Sequence, residues 1–356
     1  MPKGKVAVAL SGGVDSSAAA CLLKEAAYEV MGVHMRLWDS PRCDYQAHRA
    51  ENVCRILGIL YHQVDLRKEF GSCVVDYFCQ EYQQGRTPNP CVACNQYVKF
   101  GLLLDKALSL GADYLATGHY ARVEHSSDGC RLLKAADIGR DQSYFLYTLT
   151  QEKLGHVLFP LGEYSRDEVK QMAKQASLPT ATKSSQDICF ISQKNYVAFL
   201  SQRFSTLPGD IVDTQGKELG QHRGIAFYTI GQRHGLGLAS DKPLYVTRIE
   251  PESNRIVLGH EKELYSQKLT ARKLNWISGK APREPITVIA KIRYKAKEAE
   301  AILLPPRHCE PERSEGEAIS DVHFAQPQKS VTPGQAIVFY NIDEVLGGGL
   351  INQIQK

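Results

Sequence analysis

The sequence predicts an α/β protein with an N-terminal doubly wound parallel sheet, a small β-containing central domain and a C-terminal β-barrel. Strand-like and helix-like segments alternate as far as Tyr120, a pattern typical of a parallel sheet covered by helices. From about Leu207 onward, short β-like runs separated by glycine turns replace this alternation. This change of pattern separates the sheet domain from the β-rich part.

A chain of 356 residues is too long for one ordinary hydrophobic core, so we expect several domains. We predict a catalytic domain over residues 1–205, a small central domain over 206–270 and a barrel domain over 271–356. The stretch Pro305–Gln328 is polar and lacks periodicity. It predicts an insertion that forms an extended surface loop.

In the first domain, the predicted strands are separated by helices. The predicted strands are Val6–Leu10, Val30–Met35, Leu60–Leu66 and Tyr114–His119, the last of which includes a turn. The predicted helices are Ala18–Leu23, Ala47–Leu57, Phe70–Tyr82 and Tyr97–Leu110. Ligands of such sheets bind beyond the carboxyl ends of the strands. We therefore expect Ser11–Ser17, Met35 and Gly118-His119 to converge at one edge.

The rest of the chain supplies turn, cap and strand signals. Ala121–Ala136 predicts a hairpin, and Ser165–Glu168 matches a capping box at the start of a helix. The later runs predicted as strands are Ile225–Ile230, Leu244–Ile249, Arg255–Leu258, Thr287–Tyr294, Ala299–Leu304 and Ala336–Tyr340. These short runs support the expectation of a β domain and a barrel.

Composition favours a globular protein of the cytoplasm. The chain is 43% hydrophobic and 23% charged, and no apolar run is long enough to span a membrane, so we expect no membrane partner. The first residues pass straight into a strand, which predicts no signal peptide. The net charge of +4 permits a nucleic-acid partner without requiring one. We expect the ten cysteines to be reduced thiols rather than a disulfide framework.

The seven residues Ser11-Gly12-Gly13-Val14-Asp15-Ser16-Ser17 join the first strand to the first helix, a context that suits an anion site. Glycines let backbone N–H groups approach an oxyanion, and the helix start adds unpaired N–H donors. Asp15 is a candidate Mg²⁺ ligand, and the serine hydroxyls can bind phosphate. The alternative is a tight turn in which Ser or Asp caps the helix. The Walker A pattern is absent from the sequence.

The segment Thr87–Asn95 carries a Cys-x-x-Cys pair, Cys91 and Cys94. The pair could be half of a zinc site, a redox pair, a nucleophile with a neighbour, or two incidental thiols. No second Cys-x-x-Cys completes a zinc site, so we predict no metal ligands for zinc. We expect Cys94 to open a helix, where its thiol pKa would be lowered. Cys189 is expected on a mobile loop, although taken alone it would be a core residue.

The heptapeptide resembles the pyrophosphate loop (PP-loop) of ATP pyrophosphatases, which cleave ATP between the α and β phosphates and adenylate an oxygen of the substrate. The further segments that carry a resemblance are Thr87–Asn95, Ala116–Tyr120, Asp141–Leu146, Asp187–Ile191, Thr229–Arg233, Ile292–Tyr294 and Pro333–Ala336. Together they resemble the tRNA-specific 2-thiouridylases. The resemblance covers nearly the whole chain, and Pro305–Gln328 is its least similar part.

The resemblance implies that the first domain uses ATP with Mg²⁺ to thiolate tRNA. In this family the C2 oxygen of the wobble uridine is replaced by sulfur, and adenylation converts that oxygen into AMP, a good leaving group. The residues that the resemblance implies for ATP binding are Ala9, Leu10, Ser11, Gly12, Gly13, Val14, Asp15, Ser16, Met35 and Gly118.

The resemblance also implies that tRNA is the partner and that the barrel domain binds it. The residues implied for the flipped target base are Asn89, Pro90 and Cys91, and those implied for other tRNA contacts are His119, Arg140, Asp141, Gln142, Arg293, Tyr294 and Gln335. From the residues alone, Lys291–Lys297 alternates like a strand and could equally be a strand with a solvated basic face. His119 could equally be a buried, hydrogen-bonded side chain.

For sulfur transfer, the resemblance implies catalytic roles for two thiols. Cys189 would carry a persulfide delivered by a sulfur-relay protein, and Cys94 would be the nucleophile that frees its sulfur. A Cys94–Cys189 disulfide would result, and a reductant would then restore both thiols. Position 91 departs from those family members that carry Asp there, since this chain has Cys91. A thiol is a weaker hydrogen-bond acceptor than a carboxylate.

Three alternatives stay open at this point. The first is a PP-loop amide-forming ligase of the argininosuccinate or NAD synthetase type, which needs no cysteine pair. The second is a tRNA-thiolating enzyme that binds an iron–sulfur cluster through Cys91, Cys94 and Cys189. The third is a non-catalytic RNA-binding protein with a relic nucleotide fold, against which the presence of Asp15 and both predicted catalytic cysteines argues.

Overall fold

A computed structural model of the protein describes residues 3–178, 188–191, 195–308 and 318–355. The strands of the first domain are β1 (Lys5–Ala9), β2 (Glu29–Arg36), β3 (Leu60–Asp65), β4 (Tyr114–Ala116), β5 (Arg122–Ser126), β6 (Gly129–Leu133) and β7 (Val157–Leu158). Five of them form a parallel sheet in the order β3-β2-β1-β4-β7, and β5 with β6 forms the predicted hairpin.

Helices connect these strands and lead into the second domain. They are α1 (Val14–Glu25), α2 (Pro41–Leu57), α3 (Arg67–Phe70), α4 (Tyr77–Gln83), α5 (Pro90–Ala93), α6 (Leu104–Ser109), α7 (Gln151–Leu154), α8 (Arg166–Gln175) and α9 (Tyr196–Ser201). Two π-helical stretches, Gly71–Asp76 and Cys94–Leu103, join α3 to α4 and α5 to α6. Within the described part of the chain, no helix is both long enough and apolar enough to cross a membrane.

The sheet is covered on both faces, as in a doubly wound fold. Val6 and Val8 of β1 pack in one apolar cluster with α1, α2 and α8. Ala7, between them, belongs to a second cluster that contains residues of α6 and of the C-terminal strands. Because successive side chains of a strand point to opposite faces, this alternation places one helical layer on each side of the sheet.

The parallel register brings three strand ends to one edge. Ala9 of β1 pairs with Val33 of β2, and Val8 pairs with Ala116 of β4. The segments that leave these strands therefore start side by side, as the strand–helix alternation led us to expect. They contain the heptapeptide and Gly118-His119, and Met35 lies among the last residues of β2 at the same edge.

The central domain is a four-stranded sheet. Its strands are β8 (Gly209–Asp213), β9 (Glu218–His222), β10 (Tyr245–Glu250) and β11 (Arg255–Gly259), in the order β10-β11-β8-β9. The predicted strand Ile225–Ile230 is wrong, because Ile225–Phe227 forms a 3₁₀ turn. All three residues of this turn are buried, whereas a strand on a one-sided sheet would alternate buried and exposed residues.

The C-terminal strands close into a barrel. They are β12 (Tyr265–Trp276), β13 (Ile286–Lys291), β14 (Ala299–Leu303), β15 (Arg307–His308), β16 (Ala318–Lys329), β17 (Ala336–Asn341) and β18 (Glu344–Gln355). Six pair in the order β12-β16-β14-β13-β17-β18, and β18 returns to β12. The predicted fold class of sheet domain, small central domain and barrel is confirmed. The predicted domain limits stay a prediction, and the one at 270/271 falls inside β12.

Part of the predicted insertion is barrel. Residues 318–328 of the stretch expected to be a surface loop lie in β16, one of the longest strands of the barrel. Ser320, Val322 and Phe324 are buried and alternate with Asp321 and His323, which is the period of two that marks a strand. This signal is weak in the sequence because the first buried residue is a serine. Residues 309–317 of the predicted loop lie outside the described residues.

The basic segment at the end of β13 is a turn. Thr287–Tyr294 and Lys291–Lys297 both predict strand, but β13 ends at Lys291 and the chain bends from Ile292 onward. Ile292 is buried in the barrel core and fixes the start of the turn. The alternation of basic and apolar residues therefore reflects a turn with one buried side chain rather than a pleated strand.

Candidate active site

The loop between β1 and α1 is braced by its own serines. The Ser11 backbone N–H donates to Ser16 Oγ at 3.2 Å, and the two serine hydroxyls lie 3.2 Å apart. The hydroxyls of Ser16 and Ser17 donate to the Gly13 carbonyl oxygen at 3.2 and 2.8 Å. Leu10 and Val14 are buried at either end of the loop. The heptapeptide therefore fixes its own shape at the start of α1.

Position 12 of the loop requires a glycine. Its φ of +69° lies in the left-handed region that favours glycine. A Cβ at this position would lie 2.7 Å from Arg49 Cβ and 2.8 Å from the Gln46 carbonyl oxygen. The loop thus rests directly on α2, and a larger residue at position 12 would displace it.

Gly118 brings the end of β4 into direct contact with the same loop. A Cβ on Gly118 would lie 2.7 Å from the Ser16 backbone nitrogen and 2.8 Å from the Asp15 carbonyl carbon. No side chain fits between these two segments. The resemblance implied ATP binding at Gly118, and the structure gives this glycine a close backbone approach to the first turn of α1.

Asp15 is held by two side chains that were not assigned to the site from the sequence. Both of its carboxylate oxygens accept hydrogen bonds from Arg166 Nη1, at 2.9 and 2.8 Å. The Tyr120 hydroxyl donates to Oδ1 at 3.0 Å. Arg166 begins α8, so Ser165–Glu168, which forms the predicted capping box, also delivers a cation to the loop.

The end of β2 also touches the loop. His34 is buried, and its Nδ1 lies 2.8 Å from the Leu10 carbonyl oxygen. Burial lowers the pKa of His34, so the ring is neutral at neutral pH and its Nδ1–H donates to that oxygen. Met35, which the resemblance implied for ATP, is half-buried between the two apolar clusters that meet at this edge.

His119 links the edge at which β1, β2 and β4 end, called here the nucleotide edge, to the helix that continues from residues 87–95, which are called here the thiol segment. It is buried, its Nδ1 lies 2.7 Å from Thr117 Oγ1, and its Nε2 lies 3.5 Å from Lys99 Nζ. A lysine ammonium can only donate, so Nε2 is the acceptor and the ring proton is on Nδ1. Burial and the Lys99 charge lower the pKa of His119 well below its ordinary value. His119 is therefore a buried, hydrogen-bonded side chain, which is the alternative that the sequence left open.

The helix that contains Cys94 begins earlier in the chain than expected. Asn89 caps α5 by accepting hydrogen bonds from the backbone N–H groups of Cys91 and Val92. The helix therefore begins at Pro90, and Cys94 lies one turn inside it. The prediction that Cys94 opens a helix and has a lowered pKa is wrong. Burial raises the pKa of the Cys94 thiol to about 11.

The three cysteines influence one another electrostatically. Although the Cys189 side chain is exposed, the protein atoms packed around it exclude much of the water and raise the pKa of its thiol to about 12, with contributions from Cys94 and Cys91. The pKa of the exposed Cys91 is raised for the same reason. The positive charge of Lys99 lowers the pKa of all three. The preceding residues 179–187 are outside the described part.

A cluster of metal ligands is not formed by these thiols. Over the described residues, which include Cys91, Cys94 and Cys189, no group of three His, Cys, Asp or Glu side chains is placed to hold a metal ion. The same three cysteines are free thiols. The cysteine placement therefore does not fit the iron–sulfur alternative, and we derive no step through a cluster.

The barrel holds the thiol segment in place. Gln335 Nε2 donates to the carbonyl oxygens of Thr87 and Pro88 at 2.8 and 3.3 Å, and the Thr87 N–H donates to the Pro333 carbonyl at 2.9 Å. A Cβ on Gly334 would lie 3.0 Å from the Thr87 backbone nitrogen. The amide of Gln335, implied to contact tRNA, is thus engaged within the protein.

The other residues implied for tRNA lie on two loops. The Asp141 carboxylate is buried and accepts hydrogen bonds from Ala135 N and from the backbone and hydroxyl of Ser143, so it shapes its loop. Gln142 accepts a hydrogen bond from the Tyr120 N–H, and the neighbouring Arg140 is half-buried. In the turn after β13, Arg293 Nη1 donates to the carbonyls of Lys329 and Ser330. The ring centroid of Tyr294 lies 4.5 Å from that of Phe145.

Comparison with known proteins identifies the family. The chain matches models of the tRNA methyl transferase HUP domain over residues 4–193, the tRNA methyl transferase PRC-barrel domain over 197–260 and the aminomethyltransferase beta-barrel domain over 266–351. It is 48% identical to tRNA-specific 2-thiouridylase MnmA 1 of Caldanaerobacter subterraneus subsp. tengcongensis, over 98% of each chain. The chain belongs to the MnmA family of tRNA-specific 2-thiouridylases. The family and the enzyme class predicted from the sequence are therefore confirmed.

Further comparisons agree with this family. The chain is 46% identical to the MnmA of Acetivibrio thermocellus, over 99% of this chain and 100% of that one. Among solved structures, a U34-tRNA thiolase NcsA of Methanococcus maripaludis with its [4Fe-4S] cluster matches with a TM-score of 0.36 and 22% identity, covering 56% of this chain and 64% of that one. A likeness at this level says nothing about a cluster in the present chain.

The close contact at Gly118 can be tested by adding a methyl group. We expect Gly118→Ala to lower the free energy of unfolding by about 1–3 kcal/mol and to weaken ATP binding, because Cβ would displace the start of α1. Urea unfolding and ATP titration measure both effects. Gly71→Ala is the control, because a Cβ there meets no atom within 4 Å. Equal ATP affinity in both variants would contradict the assignment.

The contact between barrel and thiol segment predicts local opening in Gln335→Ala. Loss of the hydrogen bonds to Thr87 and Pro88 should cost about 1 kcal/mol and speed backbone hydrogen exchange across residues 87–95. Gln326→Ala, an exposed barrel glutamine, serves as the control. If exchange in this segment were the same in both variants, the barrel would not be what holds it.

The raised pKa of Cys94 predicts its dependence on pH. Because the thiolate reacts and burial disfavours it, alkylation of Cys94 should quicken about tenfold per pH unit from pH 7 to 10 without a plateau. Peptide mass spectrometry of the alkylated chain gives this rate. Lys99→Gln should shift the curve to higher pH, since the ammonium favours the thiolate, whereas the exposed Lys106→Gln should not. A plateau near pH 8 would show that the thiol is not so strongly perturbed.

Proposed function

We propose that this protein replaces the C2 oxygen of the tRNA wobble uridine by sulfur, with cleavage of ATP to AMP and pyrophosphate. The observation that carries the proposal is the link between the nucleotide edge and the thiol helix. His119 follows Gly118 at the PP-loop and lies 3.5 Å from Lys99, five residues after Cys94 on the same helical stretch. An activating loop and a thiol nucleophile in one site are what ATP-dependent sulfur transfer requires.

In the first step, ATP would be held by the loop at Ala9–Ser16, with Met35 and Gly118 beside it. The start of α1 supplies backbone N–H donors for phosphate, and the hydroxyls of Ser16 and Ser17, which donate to the Gly13 carbonyl oxygen, hold the loop in shape. Asp15 would bind Mg²⁺ together with the phosphates, since a carboxylate has about four lone-pair positions and its two partners do not fill them. The C2 oxygen of uridine attacks the α phosphorus, and pyrophosphate leaves.

In the second step, sulfur would come from a persulfide on Cys189. The Cys94 thiolate attacks Cys189 Sγ, a Cys94–Cys189 disulfide forms and hydrosulfide leaves. The hydrosulfide attacks C2, AMP departs with the original oxygen, and a proton is released. The persulfide sulfur is reduced as the two thiols are oxidised, so an external dithiol must restore them. A sulfur-relay protein that carries a persulfide would supply each new sulfur atom.

We propose that Asn89, Pro90 and Cys91 contact the target base, with the base extruded from the RNA stack. The Asn89 side chain caps α5, which makes this end of the helix a rigid support for a base. The remaining tRNA contacts are proposed for His119, Arg140, Asp141, Gln142, Arg293, Tyr294 and Gln335. Of these, Tyr294 is half-buried with its ring beside Phe145, and Arg140 supplies a charge.

We propose that the reaction takes place in the cytoplasm. The proposed substrate is tRNA, and the described cysteines are free thiols, as expected in a reducing compartment. The amide-forming ligase alternative receives no support, because the relatives are named for tRNA thiolation. That alternative would also leave both thiols without a chemical role.

The proposal is tested with unmodified tRNA, ATP and a persulfide donor. We expect 2-thiouridine and AMP in equal amounts, and loss of persulfide-dependent thiolation in both Cys94→Ala and Cys189→Ala. The control is Cys130→Ser, a half-buried thiol on the β5–β6 hairpin, which should retain activity. Nucleoside analysis by mass spectrometry and chromatography of the adenine nucleotides give the readouts. Formation of ADP, or full activity in either alanine variant, would refute the mechanism.

A further inference from the structure

The phosphate-binding loop carries a net negative charge of its own. Within Ser11–Ser17, Asp15 is the one formally charged side chain. The other groups that the loop offers to phosphate are hydroxyls and backbone N–H groups, which are neutral. ATP cleaved between its α and β phosphates releases pyrophosphate, which bears several negative charges, so transition-state stabilisation at this loop calls for positive charge in addition to the Mg²⁺ proposed at Asp15.

Arg166 places a cation against the loop. Its Nη1 donates to both carboxylate oxygens of Asp15 at 2.9 and 2.8 Å, and Tyr120 donates to the same carboxylate. The Arg166 side chain is 14% exposed and that of Asp15 is 32% exposed. Charge-assisted hydrogen bonds in such a partly buried setting are stronger than at a free surface.

The rest of α8 fixes the position of this cation. The Arg166 backbone N–H donates to Asp137 Oδ2 at 3.2 Å, and Ser165 caps the helix in a complete capping box. Val169 and Ala173 are buried in the apolar cluster that includes Ala18 and Ala19 of α1. The guanidinium therefore stands beside the first turn of α1 on a rigid support, as a preorganised binding group must.

The guanidinium retains hydrogen-bonding capacity beyond its contact with Asp15. It has five N–H donors in a planar fork, and Asp15 engages one nitrogen, Nη1. The Tyr120 hydroxyl is a further group within hydrogen-bonding reach of it. A phosphate oxygen at the loop can accept from the remaining donors, because arginine binds phosphate through several parallel hydrogen bonds.

We propose that Arg166 binds the pyrophosphate moiety of ATP and stabilises the negative charge that develops on it during adenylation of the tRNA. The inference rests on the proposed function, whose first step it completes. An electron pair of the uridine C2 oxygen forms the new bond to the α phosphorus, and the bond to the bridging oxygen breaks. The electrons of that bond leave with pyrophosphate, and Arg166 keeps its protons throughout.

The competing explanation is that Arg166 pins α8 to α1 and binds no ligand. The two roles differ in what pyrophosphate does to the protein. If Arg166 only holds α8 against α1, the Arg166→Gln variant is less stable, and its affinity for pyrophosphate in the folded state is unchanged. A phosphate ligand would make the affinity depend on the positive charge at position 166, so that Arg166→Lys restores much of what Arg166→Gln loses.

Calorimetric titration of the full chain with pyrophosphate and Mg²⁺ separates the two roles. We expect Arg166→Gln to weaken binding on the order of 10- to 100-fold and Arg166→Lys to recover most of the loss. Lys170→Gln, an exposed lysine on the same helix, should bind within about twofold of the wild-type chain, since its charge faces Asp167. Arg166→Gln that binds pyrophosphate as tightly as Lys170→Gln would overturn the proposal.

A second measurement needs no substitution and so does not depend on a variant that folds. Phenylglyoxal modification of the wild-type chain, followed by peptide mass spectrometry, should be slowed at Arg166 by pyrophosphate. An unchanged rate at saturating pyrophosphate would contradict the assignment. Neither experiment contains tRNA or a sulfur donor. A chain that binds pyrophosphate through Arg166 but does not thiolate tRNA would refute the proposed function and support this assignment.

Discussion

The position of β1 between β2 and β4 determines the geometry of the first domain. Parallel pairing places the carboxyl ends of the three strands at one edge, so the PP-loop, Met35 and Gly118 must meet there. The contacts at that edge are too close for ordinary side chains at two positions, Gly12 and Gly118. A small residue at Gly118 is thus a consequence of the sheet order, whereas a small residue at Gly12 follows from the contact of the loop with α2.

A second constraint joins the sheet domain to the barrel. The turn at Pro333–Gln335 forms three hydrogen bonds with Thr87 and Pro88, immediately before the capping residue Asn89. The helix that carries Cys94 therefore begins at a point held by a distant part of the chain. Lys99 on that helix reaches His119 beside the PP-loop. The nucleotide edge, the thiols and the barrel form one connected structure, which suits a reaction with three reactants.

The sequence was sufficient for the fold class but not for the contacts between distant segments. Alternating strands and helices predicted the parallel sheet, because the periodicities are local. Arg166 could not be found this way, since it is 151 residues from Asp15 and Ser165–Glu168 already has a local explanation as a cap. The thiol pKa of Cys94 was predicted in the wrong direction because Asn89 starts the helix early. Residues 318–328 were missed because Ser320, a polar residue, occupies a buried strand position.

The central claim is that ATP activates the C2 oxygen of the wobble uridine, and the fate of that oxygen tests it most directly. A tRNA labelled with ¹⁸O at C2 of this uridine is thiolated with unlabelled ATP in unlabelled water. Mass spectrometry of the nucleotide product then locates the label. The account predicts one ¹⁸O atom in AMP for each thiolated uridine and none in pyrophosphate. Label in water or inorganic phosphate, with unlabelled AMP, would contradict it.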